Sequence, residues 1–378
     1  MRYRPYRSTG IRTSLLGMGC MRLPNIHGDR SQIDIPKAEE ILDLAYQSGI
    51  NYFDTAYVYG DGASERATGK ALSKYPRETY YLTDKMPAWL LNTKEDVARI
   101  FQEELDRCGV EYFDFYLCHN VNDESIHRFT DPELGVIPYL EEMQRQGKIR
   151  YLGFSSHGSP ETLRKFAALR DWDFAQIQLN YLDWELQQAK QQYEILTERG
   201  IPVMVMEPVR GGRLASLCPE ADALLKALRP ELSIASWALR FVADLPNVQV
   251  VLSGMSTLEQ LRDNLGTFSQ ENPLTPEERH TLEEALSLFR KKFTIPCTGC
   301  GYCSGCPMEL HIPEFLKAYN EYLISGSPMA LDSVLAVPGD QQPKACVGCN
   351  QCAEHCPQHI DVPKYMMELA RTLHQRNP

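Results

Sequence analysis

Four side chains in the first third of the sequence could act together on one reacting oxygen: Asp54, Tyr59, Lys85 and His119. A carboxylate, a phenol, an ammonium and an imidazole form a coherent proton-donating set. A buried Asp54 pairs with Lys85 and keeps it charged. Lys85 then favours phenolate character at Tyr59 and draws its pKa down from about 10. Such a set could donate a proton from Tyr59 to a carbonyl oxygen under reduction, with His119 donating a second hydrogen bond to it. A second chemistry lies near the other end. Of twelve cysteines, Cys20, Cys108, Cys118 and Cys218 are scattered, while eight fall between Cys297 and Cys356. They read Cys297-x₂-Cys300-x₂-Cys303-x₂-Cys306-Pro307 and Cys346-x₂-Cys349-x₂-Cys352-x₃-Cys356-Pro357. In a chain with no sign of export such clustering argues for metal rather than disulfides. The four scattered cysteines read as buried, reduced and structural.

The elements that must position the first set follow from periodicity. Eight strand-like apolar runs alternate with segments of helical period: Ser14–Met18, Asn51–Phe53, Tyr80–Thr83, Phe113–Cys118, Tyr151–Phe154, Ala175–Leu179, Pro202–Met206 and Gln249–Leu252. The helical segments include Ala38–Gln47, Lys94–Arg107, Leu134–Gln146, Pro160–Ala168 and Ala189–Arg199. Gly49, Gly147 and Gly200 each close one helix before a strand. This alternation predicts a parallel (β/α)₈ barrel over residues 1–290, with residues 291–378 as a separate small cysteine-rich domain of helices and loops. An open doubly wound sheet is the competitor, but no G-x-G-x-x-G follows the first strand; Gly60-Asp61-Gly62 is the nearest string. In a barrel, chemistry sits where strands end, and the second, third and fourth runs end at Asp54–Gly60, Lys85 and His119. Adjacent strands lie about 4.8 Å apart, so these groups can converge. Tyr3–Tyr6 and Arg12–Ser14 flank Ser8-Thr9-Gly10 as a hairpin that plugs the barrel bottom. Leu232–Val242 and Pro276–Phe293 read as additional helices.

Composition excludes other classes. The 378 residues are 43% apolar and 24% charged, ordinary for a globular protein, with a net charge of −11. An acidic chain is a poor general binder of nucleic-acid phosphates. No apolar run approaches the ~20 residues that span a bilayer, and MRYRPYRSTG has no signal-peptide core. The expectation is a cytoplasmic protein with neither nucleic-acid nor membrane partners.

Asp-Thr-Ala-x-x-Tyr-Gly at 54–60, Thr83-Asp84-Lys85 and the His of Tyr116-Leu-Cys-His119 resemble the aldo-keto reductases, and the likeness covers residues 1 to about 290, including Ser64-Glu65 opening the helix after the second strand. The resemblance implies reversible hydride transfer between a nicotinamide coenzyme and a small carbonyl or alcohol substrate, with Asp54, Tyr59, Lys85 and His119 as catalytic tetrad. It also implies that Ser155, Ser156 and Gln176 hold the carboxamide and that Asn264 and Gly254 frame the adenine end. Two departures stand out. Met206 occupies the place where many members stack an aromatic ring on the nicotinamide. Gly254-Met255-Ser256-Thr257 lacks the basic residue that commonly holds a 2′-phosphate, leaving Arg210 or Arg262 to substitute. NADP(H) is the expected coenzyme and NAD(H) the alternative. Trp89, just past Lys85, reads equally as a substrate-pocket aromatic or a packed core residue. His157, Arg145 and Lys148 read as solvated surface.

The second cysteine run is the bacterial ferredoxin pattern for a [4Fe–4S] cluster, and the first differs by one residue in its final gap. Zinc would more commonly take two C-x₂-C pairs or Cys/His mixtures. In two-cluster ferredoxins the distal cysteine serves the other cluster, which predicts one cluster on Cys297, Cys300, Cys303 and Cys356 and another on Cys346, Cys349, Cys352 and Cys306. His311, His355 and His359 read as loop residues. Between the runs, Pro313–Ser325 reads as a helix and Gly326–Pro343 as a looser loop. Such a tail resembles a ferredoxin-like extension that marks a subfamily of aldo-keto reductases. The leading expectation is therefore a carbonyl reductase whose clusters exchange electrons with a protein partner. Purely structural clusters, or an electron-transfer protein using the barrel as a partner or flavin scaffold, are the alternatives. No flavin motif supports a flavin, although one would bridge two-electron hydride and one-electron cluster chemistry.

Overall fold

The structure is a computed structural model describing residues 1–292 and 295–376. Its chain divides into two compact units, Met1–Val209 with Ser236–Leu274, and Arg210–Ala235 with Thr275–Pro378.

In the first unit eight parallel strands close into a barrel in sequential order: β1 (Leu16–Gly19), β2 (Tyr52–Asp54), β3 (Tyr81–Met86), β4 (Phe113–Val121), β5 (Ile149–Ser156), β6 (Phe174–Gln178), β7 (Val203–Met206) and β8 (Val248–Ser253). All eight expected strands are present, with ends shifted by a few residues. The interior is filled by Tyr52, Phe115, Leu117, Phe174, Met204, Val250 and Leu252, a packed core rather than a pore. The N-terminal hairpin pairs Tyr3–Pro5 with Arg12–Ser14, and Tyr6 inserts into this same cluster. Its hydroxyl donates to the Asp173 carbonyl at 2.7 Å. A larger apolar layer lies between the strands and the surrounding helices. Gly49, Gly147 and Gly200 adopt the positive φ of helix-ending glycines. Cys20, Cys108, Cys118 and Cys218 are buried free thiols.

One glycine marks a close approach. On the helix Ala63–Leu72 an added Cβ at Gly69 would sit 2.6 Å from the carbonyl carbon of Cys108, the last residue of the helix Lys94–Cys108. Alanine would gain about 1 kcal/mol of helix propensity there. Overpacking against rigid backbone costs about 1–3 kcal/mol, so the clash wins. Gly69→Ala is expected to lower the thermal midpoint, a sign opposite to that of an exposed helical glycine; unfolding followed by circular dichroism checks it.

The second unit contains the helices Pro219–Leu228, Pro276–Arg290, Ile312–Ser325 and Val362–Arg376. Pro219–Leu228 and Pro276–Arg290 form one layer, with Arg229 ion-paired to Glu278, and Glu220 holding Lys292 at 2.8 Å. This layer groups by its contacts with the cysteine-rich segment, in the unit that holds Arg210–Ala235 and the chain from Thr275 onward. The helix expected to reach Phe293 ends at Arg290, and Phe293 lies outside the described residues. Gly326–Pro343 is less loose than expected: it forms the short helical turns Pro328–Leu331, Asp332–Leu335 and Gly339–Gln341. Leu331 and Val334 in those turns pack into an apolar core with Phe315, Leu316, Ile360 and Met366.

Candidate functional site

The barrel register explains how the rim groups meet. Asp54 ends β2, opposite Thr83 of β3, and Lys85 lies two residues further along β3. Alternation therefore turns Thr83 and Lys85 to one side of the strand. The Lys85 ammonium donates to Asp54 Oδ1 at 2.6 Å, to the Thr55 carbonyl, and to the Tyr59 hydroxyl at 3.4 Å. Lys85 and Asp54 are buried, as is His119 on β4. The His119 ring stands edge-on to Tyr59, centroids 6.1 Å apart. Behind Lys85, Glu65, Asp84 and Cys108 form a buried group, with Arg107 paired to Glu65 at 3.0 Å.

Electrostatics correct one expectation. Tyr59 is raised well above 10 rather than drawn down: burial dominates, and Asp54, Glu207 and Asp84 add to it against Arg22. The phenol is thus held as a proton carrier, which is the form a general acid requires. His119 falls well below 6.5 through burial, with Lys85 and His157 acting in the same direction, so its imidazole is neutral at physiological pH. Burial likewise raises the Asp54 carboxyl, opposed by Lys85.

The residues expected around a nicotinamide coenzyme lie on the adjoining rim. Ser155 of β5 is in register with Gln176 of β6, and both are buried. Gln176 directs Nε2 to the Met206 sulfur at 3.7 Å, while its Oε1 has no hydrogen-bond partner among the described residues. A buried amide oxygen without a donor suits a ligand that brings an N–H, as a carboxamide does. Ser155 Oγ accepts from the Asn120 N–H at 2.8 Å and Ser156 Oγ from the Gly158 N–H at 3.3 Å. Asn264 is buried and donates to Ser253 Oγ at 3.0 Å. At Gly254 an added Cβ would come within 3.4 Å of the Arg22 side chain, so the missing side chain leaves room beside that arginine. Arg262 is exposed. Arg210, expected here as a phosphate ligand, instead belongs to the second unit, where its fully buried guanidinium donates to the Pro296 carbonyl at 2.9 Å and Gln358 Oε1 at 3.0 Å.

Three further residues join the rim. Trp89 sits half-buried in a short helical turn, with its ring 5.1 Å from that of His119. Arg22 after β1 and Glu207 after β7 form an ion pair at 3.1 Å, and both act electrostatically on Tyr59. Nothing in the spacing of Arg22 and Glu207, 185 residues apart, marks them as partners. Proximity of β1 and β7 around β8 creates the pair.

In the second unit seven of the eight cysteines fall into two groups of neighbouring thiols. Burial pushes the Cys297 thiol up to about 12; Cys300 and Cys356 act in the same direction, against a Gly299 N–H and Arg210. Cys303 is raised by burial and by Cys300, Cys297 and Cys356. Cys352 is pushed up to about 11 by burial, with Cys346 and Cys306 as its thiol neighbours. Cys356 of the second run thus neighbours thiols of the first, and Cys306 of the first run neighbours a thiol of the second. Cys297, Cys300, Cys303 and Cys356 line one hollow together with Leu316 and Ile360. Gly299, at φ +65, brings its N–H to Cys297 Sγ at 3.3 Å. Among the described residues no three tail thiols lie within 4.8 Å of one another. Cys349 is exposed and the other seven are half-buried.

No helix among the described residues is long and apolar enough to cross a membrane. Residues 296–360, which include all eight tail cysteines, match the 4Fe-4S dicluster domain. The chain is 26% identical over 317 residues to the uncharacterized oxidoreductase YqkF of Bacillus subtilis, covering 75% of this chain and 96% of that one. It is 25% identical to the NADH-specific methylglyoxal reductase of Escherichia coli, covering 70% and 93% respectively. It is also 29% identical to the probable aldo-keto reductase 1 of Glycine max over 54% of this chain, the match spanning 58% of the soybean protein's length. Among solved structures, the holo form of aldo-keto reductase AKR11C1 from Bacillus halodurans superposes with a TM-score of 0.61 at 27% identity, covering 75% of this chain and 96% of that one. The closed barrel, its rim of acid, phenol, ammonium and imidazole, and a match of residues 15–287 to the aldo/keto reductase family agree: the chain belongs to that family of oxidoreductases, with a 4Fe-4S dicluster domain following the barrel.

Proposed function

We propose that the barrel reduces an aldehyde or ketone with a nicotinamide coenzyme, Tyr59 serving as general acid, and that two [4Fe–4S] clusters exchange electrons with a partner protein. The observation that carries the reading is the Lys85 ammonium, 2.6 Å from Asp54 and 3.4 Å from the Tyr59 hydroxyl, with His119 edge-on to the same phenol. Ser155, Ser156, Gln176, Met206, Gly254 and Asn264 would hold the coenzyme, and the unmatched Gln176 oxygen supports this. Once bound, the coenzyme supplies hydride to the carbonyl carbon. Tyr59 gives its proton to the carbonyl oxygen, so that one hydride on carbon and one proton on oxygen convert C=O to CH–OH. The neutral His119 donates a hydrogen bond to that oxygen, and Lys85, anchored by Asp54, stabilises the phenolate left behind. Trp89 forms an apolar wall for the substrate, excluding water from the reacting oxygen. Arg262 is the remaining basic candidate for a 2′-phosphate, since Arg210 is engaged elsewhere. In the tail, Cys297, Cys300, Cys303 and Cys356 hold one cluster and Cys346, Cys349, Cys352 and Cys306 the other. Exposure of Cys349 favours electron exchange at that second cluster over a solely structural role.

Steady-state oxidation of NADH and NADPH with a panel of aldehydes and ketones tests the reductase. No carbonyl-dependent oxidation of either coenzyme would refute it. The pH profile gives a finer check. Because the Tyr59 pKa is raised, the donor stays protonated through neutrality, and the reduction rate is expected to hold until at least about pH 10 before falling. His119, with its depressed pKa, adds no limb near 6.5. A decline centred near pH 7 would assign the acid elsewhere.

A further inference from the structure

The residue that departs furthest from its expected role is Arg210. Its side chain is fully buried, and the residue groups with the cysteine-rich unit. One arm donates to the carbonyl of Pro296, the residue before Cys297, and the other to the side chain of Gln358, two residues after Cys356. These two cysteines open and close the four-thiol group, and they come from different runs separated by 59 positions of chain. One planar cation therefore spans both loops, a task suited to the fixed fork of an arginine. Its backbone is also committed to the position. Arg210 itself has φ +50, and Gly211 and Gly212 follow at +63 and +91. A left-handed non-glycine residue is strained, and such strain persists where surrounding contacts over-determine it. The charge is close enough to act on Cys297.

We propose that Arg210 is a positioning residue for one cluster only, the one on Cys297, Cys300, Cys303 and Cys356, where it ties the two ligand loops together and raises that cluster's midpoint potential. The assignment rests on the crossed ligand sets of the proposed function. On reduction a [4Fe–4S] centre accepts one electron, and no thiolate bond breaks. The reduced form carries one more negative charge, so a fixed cation nearby favours it, most strongly where burial limits screening.

The test is anaerobic EPR-monitored redox titration of the full chain, with dithionite as reductant and iron and sulfide counted for each preparation. Cys303→Ala identifies which signal belongs to which cluster. In Arg210→Gln the potential of the Cys303-dependent signal is expected to fall, or that cluster to be lost with about four irons retained, while the other signal is unmoved. Arg210→Lys, which keeps the charge, is expected to hold both clusters with a potential nearer the parent's. Full iron with both potentials unchanged in Arg210→Gln, or a shift confined to the other cluster, would overturn the role of Arg210. A lysine variant that matches Arg210→Gln would remove charge as its cause. Parent protein without two four-iron centres would instead defeat the ligand assignment itself, and the iron count distinguishes that failure.

Discussion

Tyr59→Phe lowers the rate of carbonyl reduction by about 10²–10⁴-fold, the usual contribution of a positioned general acid. The substitution removes one oxygen and little else. Phenylalanine fits the same slot, and the Lys85–Asp54 pair at 2.6 Å does not depend on the phenol. Coenzyme affinity, measured by fluorescence titration, is therefore expected to change little, because the residues proposed to hold the coenzyme lie on β5 to β7, just past β8 and in the helix Leu258–Thr267, and do not include Tyr59. The loss should appear in kcat more than in KM. His119 cannot replace the donor: its pKa lies well below 6.5, so it carries no extra proton at neutral pH. Undiminished reduction by the phenylalanine variant would end the assignment of Tyr59.

Cys356→Ala and Cys297→Ala are expected to abolish the same EPR signal, and Cys306→Ala and Cys352→Ala the other. Each variant should fall from about eight irons per chain to about four. The prediction separates crossed from contiguous ligation, because contiguous runs would pair Cys306 with Cys297 and Cys356 with Cys352. The neighbours of the thiols favour crossing: Cys356 acts on Cys297 and Cys303, and Cys306 acts on Cys352. Alanine is preferable to serine here, since a hydroxyl can stand in as an iron ligand. Cys306 silencing the Cys297 signal would reverse the assignment.

The barrel was readable because its signals are local. A run of apolar residues, a glycine at a helix end and a residue just past a strand are each written within a few positions, and Asp54, Lys85 and His119 stand at such places. The cysteine runs are local too, each within eleven residues or fewer. The C-terminal helix Val362–Arg376 carries a local signal too, with Val362, Met366, Leu369 and Leu373 at helical spacing and buried. Gly326–Pro343 misled because its turns are too short to establish a period.

Residue types and spacing by themselves determined the strand count, the four reactive groups at consecutive strand ends and the thiol inventory of the tail. Tertiary structure alone decided what those groups experience. The upward shift of Tyr59 arises from the depth of its hydroxyl and from carboxylates far away in the chain, Glu207 among them. The direction of the Arg210 side chain depended on which neighbours it found, Pro296 and Gln358, respectively 86 and 148 positions downstream. Desolvation and long-range charge depend on distances through space, and a linear order of residues does not contain those distances until the chain has folded.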